Sequence, residues 1–112
     1  MDELRHLHPL DPARFAAAAA SAAALLKSIG NEHRLMILCR LLEGECSVGA
    51  LATSIDLSQS ALSQHLAKLR AEGLVATRRD AQVIHYRLAS APVMRVLETL
   101  AGIFCPPIES KG

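Results

Sequence analysis

A chain of 112 residues is most simply one domain, and at that size roughly 65% of the extended chain's surface is buried, which gives a core but excludes a deep enclosed active site. Half the residues are hydrophobic while aromatics make up only 3% and Trp is absent, so the interior is built from Leu, Ile, Val and Ala, a helical palette. The net charge of +1 argues against a sequence-independent polycation on nucleic acid, and three cysteines without a CxxC argue against a secreted disulfide framework, so a reducing cytoplasm is the expected compartment.

The first ten residues, MDELRHLHPL, lack a sustained period and read as a flexible arm over residues 1–10, followed by one folded domain over 11–112. Asp11 and Pro12 form a helix start, with Asp as N-cap and Pro at the first helical position. Phe15, Ala18, Ala22, Leu25, Leu26 and Ile29 then recur at helical spacing up to Gly30. The run FAAAAASAAALL inside this helix imitates the apolar part of a signal peptide. It is too short for a bilayer, which needs about 20 apolar residues, and Lys27 follows it, so no membrane association is expected.

Asn31 caps a second helix whose stripe is Leu35, Leu38, Cys39, Leu41 and Leu42, closed by Gly44. Ser47 caps a short third helix through Leu51 to about Ser54. Ser58 caps a fourth that ends at Gly73. In the fourth helix Leu62, Leu66 and Leu69 form the inward face, and Ser60, Ser63, Gln64, Ala67 and Lys68 lie opposite. Leu74 to Arg79 and Val83 to Leu88 predict an antiparallel hairpin turning around Asp80-Ala81-Gln82. Pro92 opens a last helix carrying Val93, Val96, Leu97, Leu100 and Phe104, and Cys105-Pro106-Pro107 ends it. The predicted fold is mainly α with a small β-hairpin, in the order of four helices, hairpin and fifth helix: a winged helix-turn-helix.

A recognition helix needs short hydrogen-bonding side chains in its N-terminal half and cations nearby for phosphates. Ser58, Gln59, Ser60, Ser63, Gln64 and His65 meet the first requirement. Lys68, Arg78, Arg79 and Arg87 meet the second, with Gln82 at the tip of the wing. From Ser58 to Leu88 five basic residues face two acidic ones, a local excess of three that a dimer doubles. An ordinary solvated helix beside an ordinary hairpin would account for the polar face but not for the order of the elements. The wide apolar stripes of the first and last helices exceed what so small a core covers, which predicts a homodimer. Its two recognition helices would lie about one DNA turn apart, on the order of 34 Å.

The stretch LSQSALSQHLAKLRAEGLVATRRDAQVIHYRL resembles the recognition helix and wing of the ArsR/SmtB family of winged-helix repressors, and NEHRLMILCRLLEGECSVGAL resembles that family's second and third helices. The likeness runs from about Leu25 to Cys105. It implies a homodimer that represses a promoter by binding double-stranded operator DNA and is released by a small inducer.

Many members of that family sense metals. Their thiolate site resembles ELCVCDL, and here the stretch is ECSVGAL, with Ser47 and Gly49 where the cysteines would stand. Their Asp, His and Glu site on the last helix has only Glu98 to match it between Pro92 and Phe104, so a zinc site lacks its ligands. His6, His8, His33, His65 and His85 are scattered, and neither metal nor cofactor is expected.

Cys39 and Cys105 remain. A free Cys often packs as a small hydrophobe, a reading that suits Cys39 in its apolar stripe better than Cys105 beside two prolines. As a pair they resemble a dithiol subgroup of the family that responds to reactive sulfur species or oxidants, with one cysteine in the second helix and one at the end of the last. That resemblance implies a switch in which a persulfide or oxidant bridges Cys39 and Cys105. Which thiol attacks stays open, because Arg40 adjoins Cys39 only in sequence. Cys46, near the start of the third helix where a dipole could lower its pKa, is expected to be a bystander.

Other classes fit less well. A thiol oxidoreductase would want a CxxC or a Cys beside an activating His, so no enzyme activity and no catalytic residue are expected. A constitutive DNA-architecture protein would leave Cys39 and Cys105 idle. A repressor gated by metal, or by haem through a single Cys or His ligand, is the nearest alternative.

Overall fold

A computed structural model describes residues 11–105. The chain forms α1 (Pro12–Ile29), α2 (Glu32–Leu42), β1 (Cys46–Ser47), α3 (Val48–Ser54), α4 (Gln59–Ala71), β2 (Val75–Asp80), β3 (Val83–Leu88) and α5 (Ala91–Phe104). The expected arm and the prolines after Cys105 lie outside the described residues.

Each helix begins where a side chain can satisfy its free amides. Asp11 accepts from the Arg14 amide at 3.2 Å. Asn31 accepts from His33 and Arg34 at 3.0 and 3.1 Å, Ser47 from Ala50 and Ser58 from Ala61, both at 3.1 Å. The last helix starts at Ala91, with Ser90 as its cap accepting from Val93 at 3.3 Å. Arg34 fastens α2 to α1, because its Nε donates to the Ser28 carbonyl at 2.7 Å and so satisfies the end of the preceding helix.

Gly73 ends α4 in the left-handed region at φ +78°. Its amide donates to Arg70 and the Leu74 amide to Leu69, both at 3.0 Å, and Leu74 turns back into the core. A Cβ at Gly73 would meet nothing within 4 Å, so only the backbone opposes a side chain there. Gly73→Ala is therefore expected to cost about 1 kcal/mol, on the order of the left-handed penalty, measured as a lower denaturation midpoint with an unchanged m-value.

The core gathers one stripe from each of α2 to α5 and the inner face of the sheet. Ile37, Leu38, Leu51, Leu62, Leu66, Leu69, Val93 and Leu97 are fully buried, each contributing roughly 1.5–3 kcal/mol of burial. The inward face expected for α4 is therefore the buried one. Among the described residues no charged or polar side chain is buried. The N-terminal part of α1 and the end of α5 stand apart from this core. Every residue from Asp11 to Ala24 is exposed, and Phe15, Leu26, Ile103 and Phe104 are 56%, 59%, 63% and 75% exposed.

The sheet has three strands in the order β1-β3-β2, all antiparallel, one more than the hairpin expected. The added strand is two residues long, pairing Cys46 with Tyr86 and Ser47 with His85. It anchors the wing to the connection between α2 and α3. Cys46 accordingly sits buried in a strand ahead of α3. In the hairpin, Asp80 pairs with Val83, and Ala81 in the tight turn between them takes φ +59°.

Candidate DNA interface and thiol pair

The N-terminus of α4 is exposed and has no acidic residue in its first turn. Ser58, Gln59, Ser60, Ser63, Gln64 and Lys68 are all exposed, because Leu62, Leu66 and Leu69 turn the opposite side of the helix into the core. Short polar side chains and free amides at a positive helix end are suited to an anionic, hydrogen-bonding surface. Lys68 reaches along the helix to Glu72 at 3.4 Å.

His65 is placed differently. It is half-buried against α2, with its ring 6.0 Å from that of His33 and tilted by 37°. Burial, then the charges of Arg34 and His33, hold its pKa below the ordinary histidine value, so it stays neutral at pH 7.

The wing separates residues that are adjacent in sequence. Successive strand residues point to opposite faces, and the register pairs Arg78 with His85 and Arg79 with Ile84. Arg79 therefore shares the face of Ile84 and Tyr86, which line a groove of about 580 Å³ against Ser63, Ala67 and Arg70 of α4. Arg78, His85 and Arg87 share the outer face. Gln82 is exposed in the turn.

Arg78 is already engaged. Its Nε donates to both Glu45 oxygens at 3.0 and 2.9 Å and its Nη2 to Oε1 at 2.7 Å. The hydrogen bonds from Arg78 come first in holding the Glu45 carboxyl below its usual range, followed by the charges of Arg78, His85 and Arg87. Sequence reasoning misses Glu45, since nothing in the chain announces a partner 33 residues away.

All three cysteines are free thiols. Cys39 is half-buried on α2, packed against the core. Cys105 is exposed at the end of α5, where its amide closes the helix on Ala101 at 2.8 Å. Burial is the main reason the Cys39 pKa is raised, and the charge of Cys105 adds to it. The fold thus brings two thiols 66 positions apart in the sequence within electrostatic reach. Cys46 is 4% exposed and apart from solvent.

Among the described residues no three His, Cys, Asp or Glu side chains group as metal ligands, while His6 and His8 lie outside them. No described helix is long and apolar enough to cross a membrane.

Residues 31–77, from the cap of α2 into the wing, match the model of the arsR family of bacterial regulatory proteins. Over 86 residues the chain is 54% identical to the transcriptional activator HlyU of Vibrio cholerae, covering 77% of this chain and 80% of HlyU. The chain belongs to the arsR family. This arsR-family regulator superposes on the solved structure of reduced HlyU from Vibrio cholerae with a TM-score of 0.79 at 50% identity, over 81% of this chain and 96% of that one. The transcriptional repressor BigR of Xylella fastidiosa gives a TM-score of 0.78 at 40% identity, over 88% and 100%. A homodimeric winged helix-turn-helix DNA-binding domain from Mycobacterium bovis gives 0.69 at 33% identity, over 80% and 83%. The chain is thus a transcriptional regulator with a winged helix-turn-helix fold, as its sequence implied.

Proposed function

We propose that this regulator is a homodimeric repressor whose affinity for operator DNA falls when Cys39 and Cys105 are bridged. The observation that carries the reading is a half-buried thiol on α2 whose pKa is raised in part by the exposed thiol at the end of α5. A solved relative specified as reduced supports a redox-dependent form in this branch of the family.

In this reading Ser58, Gln59, Ser60, Ser63 and Gln64 meet base edges in the major groove, while Lys68, Arg79, Gln82 and Arg87 hold the backbone. His65 packs on His33 and braces α4 against α2. The exposed apolar residues of α1 and α5, Phe15, Leu26, Ile103 and Phe104, supply the dimer interface, in line with the homodimeric relative from Mycobacterium bovis.

The chemistry starts at Cys105, the accessible thiol. Its thiolate attacks the sulfane sulfur of an organic persulfide, forms a new persulfide on Cys105 and releases the organic thiolate. The Cys39 thiolate then attacks the Cys105 Sγ and expels the outer sulfur as hydrosulfide, leaving a disulfide. A peroxide reaches the same product through a sulfenic acid on Cys105, with loss of water when Cys39 closes the bridge. Cys39 titrates high, so closure speeds up as the pH rises towards its raised pKa. The bridge draws α5 and the dimer contact towards α2, which alters the spacing of the two α4 helices and costs contacts at both half-sites.

Timed alkylation of the reduced protein, read by peptide mass, is expected to label Cys105 first, Cys39 more slowly and Cys46 last. Persulfide treatment is expected to yield a Cys39–Cys105 bridge within one chain. A bridge that includes Cys46, or one that joins two chains, contradicts the reading.

A further inference from the structure

Glu45 stands immediately before β1, and continuing the β1–β3 register places it beside Arg87 on the middle strand. To reach Arg78 on β2 its carboxylate spans β3, with His85 and Arg87 adding their charges to its surroundings. An isolated exposed ion pair contributes little, but a bidentate guanidinium–carboxylate pair with separations of 2.7 to 3.0 Å is the favourable exception. The outer face of the wing then carries Arg78 and Arg87 against Glu45 and Asp80. The two arginines and two carboxylates cancel in formal charge.

We propose that Glu45 is an internal stand-in for a DNA phosphate. It occupies the Arg78 guanidinium and lowers the positive charge of the outer face of the wing, so that Arg78 adds no backbone attraction and the regulator remains weakly enough bound to be released. Carboxylate and phosphate take an arginine in the same forked geometry, so one excludes the other. Without the carboxylate the outer face becomes more positive by one charge per chain and offers one free guanidinium. Each additional phosphate neutralised on the DNA steepens the dependence of log K on log salt by about 0.9. Because phosphate binding ignores sequence, operator and random duplex benefit alike.

The inference rests on the wing lying along the DNA backbone, as in the proposed function. The test compares the wild type, Glu45→Gln, Arg78→Ala, the double variant and Arg79→Ala on an operator duplex and on a random duplex, across a range of salt. Glu45→Gln is expected to bind both duplexes roughly tenfold tighter at 0.15 M salt, with a salt slope steeper by up to about 1.8 per dimer. The double variant is expected to lose that increase. Arg79→Ala is expected to weaken binding and flatten the slope. Unchanged or weaker binding by Glu45→Gln, or an increase that survives in the double variant, overturns the inference. If Arg79→Ala also leaves the slope unchanged, the wing does not touch the backbone and that part of the proposed function falls with it.

Discussion

Replacing Gln59 by Glu is expected to abolish operator binding by at least roughly 100-fold while leaving the fold as stable or more so. Gln59 is the first residue of α4, exposed, in a first turn that has no acid. A carboxylate there faces the positive end of the helix and stabilises it by about 0.3–1 kcal/mol. The same carboxylate meets phosphates and base acceptors at both half-sites of a dimer, where each misplaced contact costs roughly 1–3 kcal/mol. The two effects have opposite signs, so a binding titration and a thermal melt on one variant separate them. Lost affinity with an unchanged or raised melting point is the expected pattern. Binding at wild-type strength would remove α4 from the DNA-reading role.

The second large effect concerns the thiols. Cys39→Ser and Cys105→Ser are each expected to bind operator like the reduced wild type and to ignore an inducer that weakens the wild type. The coupling lost is about 1–3 kcal/mol, a factor of roughly 5 to 150 in affinity. The two variants differ in chemistry. Cys39→Ser keeps the exposed thiol and is expected to accumulate a persulfide or sulfenic acid on Cys105 that no partner resolves. Cys105→Ser keeps only a half-buried thiol whose pKa burial has raised, and is expected to react slowly and more readily at high pH. Cys46 lies buried in β1, so Cys46→Ser is expected to preserve the response while lowering stability. A response that survives in either of the first two variants, or disappears in the third, contradicts the assignment.

Much of the fold is written in local signals. Each helix carries its own cap, and the spacing of Leu62, Leu66 and Leu69 alone orients α4, so the polar face presented outward follows from the sequence. The hairpin is equally local, with its strands joined by a tight turn. What the chain does not announce is long-range pairing. A two-residue strand at Cys46–Ser47 has no pattern to detect, and it exists because β3 offers an open edge beside it. The bond from Glu45 to Arg78 follows from that strand, because β1 is what brings the end of the α2 connection alongside the sheet. In the sequence His65 reads as one more polar residue of the recognition helix, and only the packing of α2 turns it towards His33.

Other features are legible in principle. Strand alternation by itself sends Arg78 and Arg79 to opposite faces, which a reading that sums charges in a window passes over. The thiol pair lies between these cases. Nothing in the spacing of Cys39 and Cys105 brings them together, so the sequence points to them only through resemblance, while in the fold the charge of Cys105 acts on Cys39.

In the proposed function, one chemical event between Cys39 and Cys105 lowers operator affinity. It is tested most directly by DNA-binding anisotropy on the protein's own promoter, comparing the reduced protein with persulfide-treated, peroxide-treated and zinc-treated forms and recording the intact mass of each. Tight binding is expected of the reduced form, weakened binding after persulfide or peroxide together with a mass matching a Cys39–Cys105 bridge, and no effect of zinc. Weakened binding with zinc while both thiols stay unmodified, or a bridged protein that binds as tightly as the reduced one, would contradict it.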